Sequence, residues 1–489
     1  MMITPSYQKA VILAKENDCC LIPLCAELPT GNLTALGVLE RLQEESTPCF
    51  LLESAERDKS LGRYSFLGFD PKLELTCENG IVTLKEDGKI QTEVASPSAV
   101  IRRVLKQHRS LSIASLPSFT GGLVGYFSFD YLRYSEPSLR PSKEREEGQK
   151  DVDLMLFDKV IAFDHQQGVI YLIVNIPCHD LEREYPKGVK ALEKLRELVQ
   201  ETAKMEPTPG KLRSPMKARY DKAQYCDMVE KAKDYIRAGD VFQLVLSNEF
   251  SADYEGSLLN TYKALRETNP SPYMVYLCGE TLELAGASPE TLVKLERDRL
   301  FTYPLAGTRP RGEAEEEDLR LEAELLADEK ERAEHNMLVD LGRNDLGKIS
   351  RFGSVKVEEY MKTLRFSHVM HLGSTIGGTI RPDCDALDAV EAVLPAGTLS
   401  GAPKLRAIQL IQALEGRRRG LYGGAVGYLD FAGNLDVCIA IRMAYKERGK
   451  VYVCSGAGIV ADSSPDKEYE ECRNKAKAVI NALGAEQEG

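Results

Sequence analysis

The sequence has no C-x-x-C pair, no apolar run long enough to span a bilayer, no secretory hydrophobic segment, no internal repeat and no excess of positive charge, and each absence removes a class of protein. Twelve cysteines are scattered along the chain, with Cys19-Cys20 the one adjacent pair, so neither a zinc site nor a disulfide framework is suggested. Reduced cysteines and the lack of a membrane span or leader point to a cytoplasmic protein. A net charge of -12 argues against nucleic acid or an anionic membrane as partner, because both reward a basic surface. A small anion needs only a local basic pocket. With 489 residues the chain exceeds one ordinary core, and two large lobes are expected.

What is present reads as α+β. Between Lys72 and Val94 the pattern alternates and is broken by Asn79-Gly80 and Asp87-Gly88, the strongest short hairpin signals, which predict an antiparallel meander. Further strands are expected at Gly121–Tyr126, in a hairpin over Asp158–Ile176, and at Val241–Asn248, Tyr273–Leu277, Thr291–Lys294 and Leu300–Leu305. They come as hairpins with helices interspersed rather than in regular strand-helix alternation. The expected architecture is therefore two large antiparallel β-sheets packed as a sandwich with surrounding helices. The linker Pro207-Thr208-Pro209-Gly210 suggests a boundary between an N-terminal lobe, residues 1–210, and a second domain, residues 211–489.

Chemistry concentrates in the last third. In the helix expected over Asp328–Asp345, Met337, Leu338 and Leu341 form an apolar stripe, and Glu331, Glu334 and His335 sit one turn back. Carboxylate-rich helix faces are most often simply solvated. Where the next turn enters a core, such a pair instead suits an oxygen-loving cation, Mg²⁺ or Ca²⁺. Arg442 falls within an apolar stretch read as the strand Val437–Ala444, where an unpaired guanidinium is costly, so a buried anionic partner is expected. The pair His368 and His371 lacks an evident third zinc ligand. A strand is expected over Val451–Ser455, ending at Gly456; the Gly456-x-Gly458-x-x-Ala461 that follows fits a dinucleotide fingerprint in spelling alone, because no later strand supplies the required acidic residue.

Taken together, Leu305–Gly312, the helix Glu331–Asp345, His371–Ser374, Pro395–Pro403, and Gly456–Gly458 through Lys475 resemble the chorismate-utilising enzymes, and within them the large subunit of the anthranilate synthases. The resemblance implies a Mg²⁺-dependent lyase that converts chorismate and ammonia to anthranilate and pyruvate. It implies Glu334 and Glu471 as metal ligands, with Glu331 close by. Glu290 matches the acid that protonates the departing C4 hydroxyl as ammonia adds at C2, and His371 the histidine associated with pyruvate elimination. Gly307, Thr308, Thr398, Tyr422, Arg442, Gly456, Gly458 and Lys475 match the positions that hold or line the substrate.

Two positions separate the siblings. Relatives that add water carry a lysine where this chain has Gln243. Aminodeoxychorismate synthases, the alternative reading, typically carry one where it has Ala306, and alanine cannot trap an intermediate covalently. A catalytically silent chorismate or tryptophan sensor would have no need of an acid, a base and a metal together. Glu53 and Ser54, with Pro272, Tyr273 and Met274, match segments that bind L-tryptophan, which implies feedback inhibition. No cysteine sits in a Gly-x-Cys-x-Gly nucleophile turn, so the resemblance implies a separate glutamine amidotransferase subunit, in a heterotetramer, as the source of ammonia.

Overall fold

A computed structural model describes residues 2–55, 62–139, 149–201, 203, 208–312, 314–365 and 369–484. Two antiparallel sheets, of 14 and 12 strands among the described residues, form its centre. Their facing sides close on a shared core that includes Phe50, Phe66, Phe119, Val124, Phe157, Leu277, Val426 and Tyr428. The outer face of the larger sheet is covered by helices that include Ala35–Glu45, Leu181–Gln200, Leu259–Thr268 and Pro465–Ala482. The helices Pro97–Gln107, Glu329–Gly347 and Ala386–Val393 cover the other. This is the expected α+β sandwich.

Both sheets take strands from either side of residue 210. Cys49–Glu53 lies between Tyr64–Phe69 and Tyr273–Cys278, and Gly122–Phe127 lies between Val152–Phe157 and Ala425–Asp430. The sandwich is thus woven from both ends of the chain. Of the linker, residues 208–210 are described, and they lead into the short strands Lys211–Leu212 and Lys217–Ala218 on the larger sheet.

Local signals placed many elements closely. Asn79 and Gly80, then Asp87 and Gly88, take positive φ of 53°, 81°, 48° and 74° and turn the two hairpins. The helix Lys222–Arg237 begins on a capping box between Asp221 and Gln224. Three expectations need correction. The stretch Leu300–Leu305 is two strands, Arg299–Thr302 and Leu305–Pro310, interrupted at Tyr303-Pro304, because proline cannot donate to a ladder. The strand Lys450–Ile459 runs through Gly456 and Gly458 instead of ending there: a Cβ at Gly456 would lie 2.6 Å from the Leu246 carbonyl and 2.9 Å from the Tyr422 hydroxyl, so only glycine lets the strands approach. Arg442 is in no strand. It sits at the break between Leu435–Ile439 and Met443–Glu447 with φ of +53°, and its apolar neighbours had the composition of a continuous strand.

Candidate active site

A cavity of about 870 Å³ opens against the C-terminal helix Pro465–Ala482, with Thr308, Arg442, Glu471 and Lys475 in its wall beside Asn269, Asp466 and Asn474. The bent backbone at Arg442 turns its side chain toward this space, and no described carboxylate lies within ion-pairing distance of its guanidinium. The buried partner expected for Arg442 is therefore absent among the described residues, and the charge faces the cavity. Burial holds Arg442 below the usual arginine range, and its strongest charged neighbour is Glu290.

Glu290 follows the strand Leu282–Ser288 and accepts a hydrogen bond from the Thr398 hydroxyl at 3.1 Å. Burial pushes its carboxyl up to about 7, against the Thr398 hydrogen bond and the positive charges of Arg442 and Lys475. A carboxyl so placed carries a proton at neutral pH in a large share of molecules. Lys475 reaches the Gly456 carbonyl at 3.2 Å, and Tyr422 is buried against Gly456. Gly458 is exposed on the same strand.

On the strand Val369–Thr379, His371 meets the loop expected to line the pocket. Its Nδ1 lies 2.8 Å from the Gly307 carbonyl and 3.1 Å from the Thr308 hydroxyl. A carbonyl only accepts, so Nδ1 carries the hydrogen and the lone pair resides on Nε2. Burial lowers the affinity of His371 for a second proton, leaving a neutral imidazole near pH 7. His368 lies outside the described residues.

The acids form two pairs. Glu331 and Glu334 are one turn apart on the helix Glu329–Gly347, and Glu468 and Glu471 one turn apart on Pro465–Ala482. Glu331 is raised by burial and then by the charges of Glu334 and Asp328, with Arg309 3.8 Å away opposing them. Glu468 is raised by burial and by the charge of Glu471, and it feels the charge of Lys330 from the helix that carries Glu331 and Glu334. Glu471 is paired with Lys475 at 2.7 Å. Among the described residues no three acidic, histidine or cysteine side chains are gathered tightly enough to hold a metal. The chemistry of the donors still fits Mg²⁺: they are all oxygen, and they carry mutual repulsion that a divalent cation relieves. His335, grouped by helical period with Glu331 and Glu334, turns the other way. It is fully buried and its Nε2 lies 2.7 Å from the Ser374 hydroxyl.

The five residues expected to hold an inhibitor converge elsewhere. Met274 pairs with Glu53 across the sheet, and the Ala55 amide donates to the Ser271 carbonyl at 3.0 Å, which brings Ser54 beside Pro272. Glu53 is held by the Tyr262 hydroxyl at 2.5 Å and by Arg266 at 2.7 Å. Tyr273 donates to Asp436 at 2.8 Å. Asp436 lines a second cavity, of about 610 Å³, walled by Tyr64, Phe66, Tyr171, Tyr428 and Arg297. Sequence reasoning missed that cavity because its wall is drawn from six separate stretches of the chain.

The protein-family model for chorismate binding enzymes matches residues 47–481. The anthranilate synthase component 1 of Acetivibrio thermocellus is 42% identical over 99% of both chains, and that of Aquifex aeolicus is 44% identical over 95% of this chain and 94% of its own. The crystal structure of anthranilate synthase component I from Streptococcus pneumoniae superposes with a TM-score of 0.76 at 38% identity, covering 87% of this chain and 93% of that one. A menaquinone-specific isochorismate synthase from Escherichia coli, at 19% identity and a TM-score of 0.70, shares the fold. The chain belongs to the chorismate binding enzyme family, on the branch of its anthranilate synthase component 1 relatives.

Proposed function

We propose that the chain converts chorismate and ammonia to anthranilate and pyruvate at the 870 Å³ cavity, as the synthase subunit that works beside a glutamine amidotransferase. The observation that carries the reading is Glu290: a carboxyl raised to about 7 that feels the charges of Arg442 and Lys475, both in the cavity wall, is a proton donor near the cations that a dicarboxylate substrate requires.

In this reading Arg442, Lys475 and the Gly456–Gly458 backbone receive the substrate carboxylates, with Tyr422, Gly307, Thr308 and Thr398 shaping the pocket. Glu290 gives its proton to the C4 hydroxyl, which leaves as water while ammonia bonds to C2. His371, with its lone pair on Nε2, then takes the ring proton from C2 as the enolpyruvyl side chain leaves, and protonation of that fragment yields pyruvate. Gln243, buried on the strand Gln243–Glu255, supplies no base for water, and Ala306 supplies no amine. Glu334 and Glu471, with Glu331 close by, would hold Mg²⁺, which when bound supplies Lewis-acid withdrawal of electron density through the ring carboxylate.

The test is direct. The purified chain, given chorismate, Mg²⁺ and an ammonium salt, is expected to form fluorescent anthranilate, to lose activity in EDTA and to fail with glutamine as the nitrogen source. Aminodeoxychorismate in place of anthranilate would move the chain to the para-amino branch and refute the role given to Ala306.

Regulation is inferred at Glu53, Ser54, Pro272, Tyr273 and Met274, the residues that the resemblance assigns to L-tryptophan. The second cavity lies beside them, because Tyr273 donates to Asp436 in its wall. L-tryptophan held by these five residues would favour one arrangement of the two sheets over another. Ser54→Phe is expected to relieve tryptophan inhibition while sparing uninhibited turnover. Inhibition curves that superimpose for mutant and parent would remove Ser54 from the site.

A further inference from the structure

Three consecutive arginines, Arg417, Arg418 and Arg419, are each at most 2% exposed. Three buried guanidinium groups are costly unless each is matched. Arg417 donates to Ser247 at 3.0 Å and to Glu249, and Arg418 is bound by Asp151 with Asp130 nearby. These two tie the turn after the helix Lys404–Glu415 to the sheets around it. Arg419 is different in where its bonds lead. It grips Glu415 through Nε at 3.1 Å and Nη2 at 2.6 Å, and it also donates to two main-chain carbonyls, Val245 at 2.7 Å and Leu399 at 2.7 Å.

Leu399 follows Thr398 in the short turn Gly397–Leu399, and groups on either side of Thr398 are hydrogen-bonded. The Leu399 amide donates to Ala396 at 3.1 Å, the Ser400 hydroxyl to Ala396 at 2.8 Å, and the Val245 amide to Ser400 at 2.9 Å. The same guanidinium stands 4.7 Å from the Phe129 ring centre and 5.8 Å from that of Tyr422. One buried group therefore reaches both the loop that carries Thr398 and the ring of Tyr422. We propose that Arg419 is a positioning residue for the acid: its planar fork fixes the Leu399 and Val245 carbonyls and so holds the Thr398 hydroxyl on Glu290.

Arginine suits the task because a carboxylate and two carbonyls from three separate segments are satisfied in one plane by one rigid set of donors. A lysine keeps the charge opposite Glu415 and loses the fork. This inference rests on the acid role given to Glu290, and the experiment separates the two. The hydroxyl of Thr398 favours the ionised form of Glu290, so slackening the loop makes the acid weaker and harder to ionise. Because the protonated form is the active one, the fall of kcat at alkaline pH then moves to higher pH.

The measurement is kcat against pH with saturating chorismate and constant free ammonia, for the parent, Thr398→Val, Arg419→Lys and the double variant, each checked by circular dichroism. Thr398→Val is expected to move the alkaline limb up by roughly half to one pH unit, the equivalent of one hydrogen bond. Arg419→Lys is expected to move it the same way, and the double variant no further. A lower kcat at every pH with an unmoved limb in Arg419→Lys, or shifts that add in the double variant, would overturn the inference. A limb that stays in place in Thr398→Val would bring down the acid assignment itself, and the inference with it. If Arg419→Lys does not fold, the apolar pair Glu415→Leu with Arg419→Met removes the fork without leaving a lone buried charge, and the same shift is expected.

Discussion

Replacing Glu290 by glutamine is expected to lower kcat by roughly 10²–10⁴-fold, the usual contribution of a positioned general acid, while leaving the affinity for chorismate within a few fold. Glutamine keeps the shape of the side chain and can still accept from Thr398, so the pocket persists without the proton. The parent should show the sign of the titration directly. With the carboxyl raised by burial to about 7, the active protonated form dominates below that pH, and kcat declines as pH climbs through it. An ordinary exposed glutamate would have lost its proton near pH 4.3, and the decline would already be complete at neutrality. Single-turnover measurement with bound chorismate separates this loss from any change in binding. Turnover at the parent level in Glu290→Gln would transfer the acid role elsewhere.

The second large effect is expected at Glu334. Glu334→Gln removes one charge from the pair it forms with Glu331 on the helix Glu329–Gly347. The Mg²⁺ concentration needed for half-maximal activity should rise by at least about 10²-fold, since even groups that only orient a metal ligand are worth 10- to 100-fold in metal affinity. Calorimetric titration of Mg²⁺ into the variant gives a second reading that does not depend on turnover. The same substitution relieves the repulsion that raises Glu331, whose carboxyl should then ionise more readily. Unchanged Mg²⁺ dependence would remove Glu334 from the metal site.

How much of this was legible in the sequence depended on whether a residue's partner lay nearby in the chain. The hairpin turns at Asn79-Gly80 and Asp87-Gly88 are local chemistry and were readable as such. The motifs that carry Glu290, His371 and Lys475 were recognisable as strings, but the contacts among them were not. His371 finds Gly307, and Glu290 finds Thr398, across long sequence separations. His335 shows the limit of helical period: it lies on the same helix as Glu331 and Glu334 yet points into the core toward Ser374. The run Arg417-Arg418-Arg419 has the composition of a solvated surface, and nothing near it in sequence except Glu415 announces that its acids stand at Asp130, Asp151 and Glu249. Sheet membership was the least accessible property, because alternation identifies a strand without naming its neighbour.

That both sheets interlace the two ends of the chain also sets the order in which the protein can be made. Gly122–Phe127 emerges from the ribosome early and can pair with Val152–Phe157 at once, but its other edge stays open until Ala425–Asp430 has been synthesised. The same holds for Cys49–Glu53, which waits for Tyr273–Cys278. Closing such distant pairings is slow, and the open edges are sticky while they wait. A truncated chain would therefore lack more than its missing segment: it would expose strand edges in both sheets. Nascent chains stalled before residue 425 are the ones that should call on chaperones.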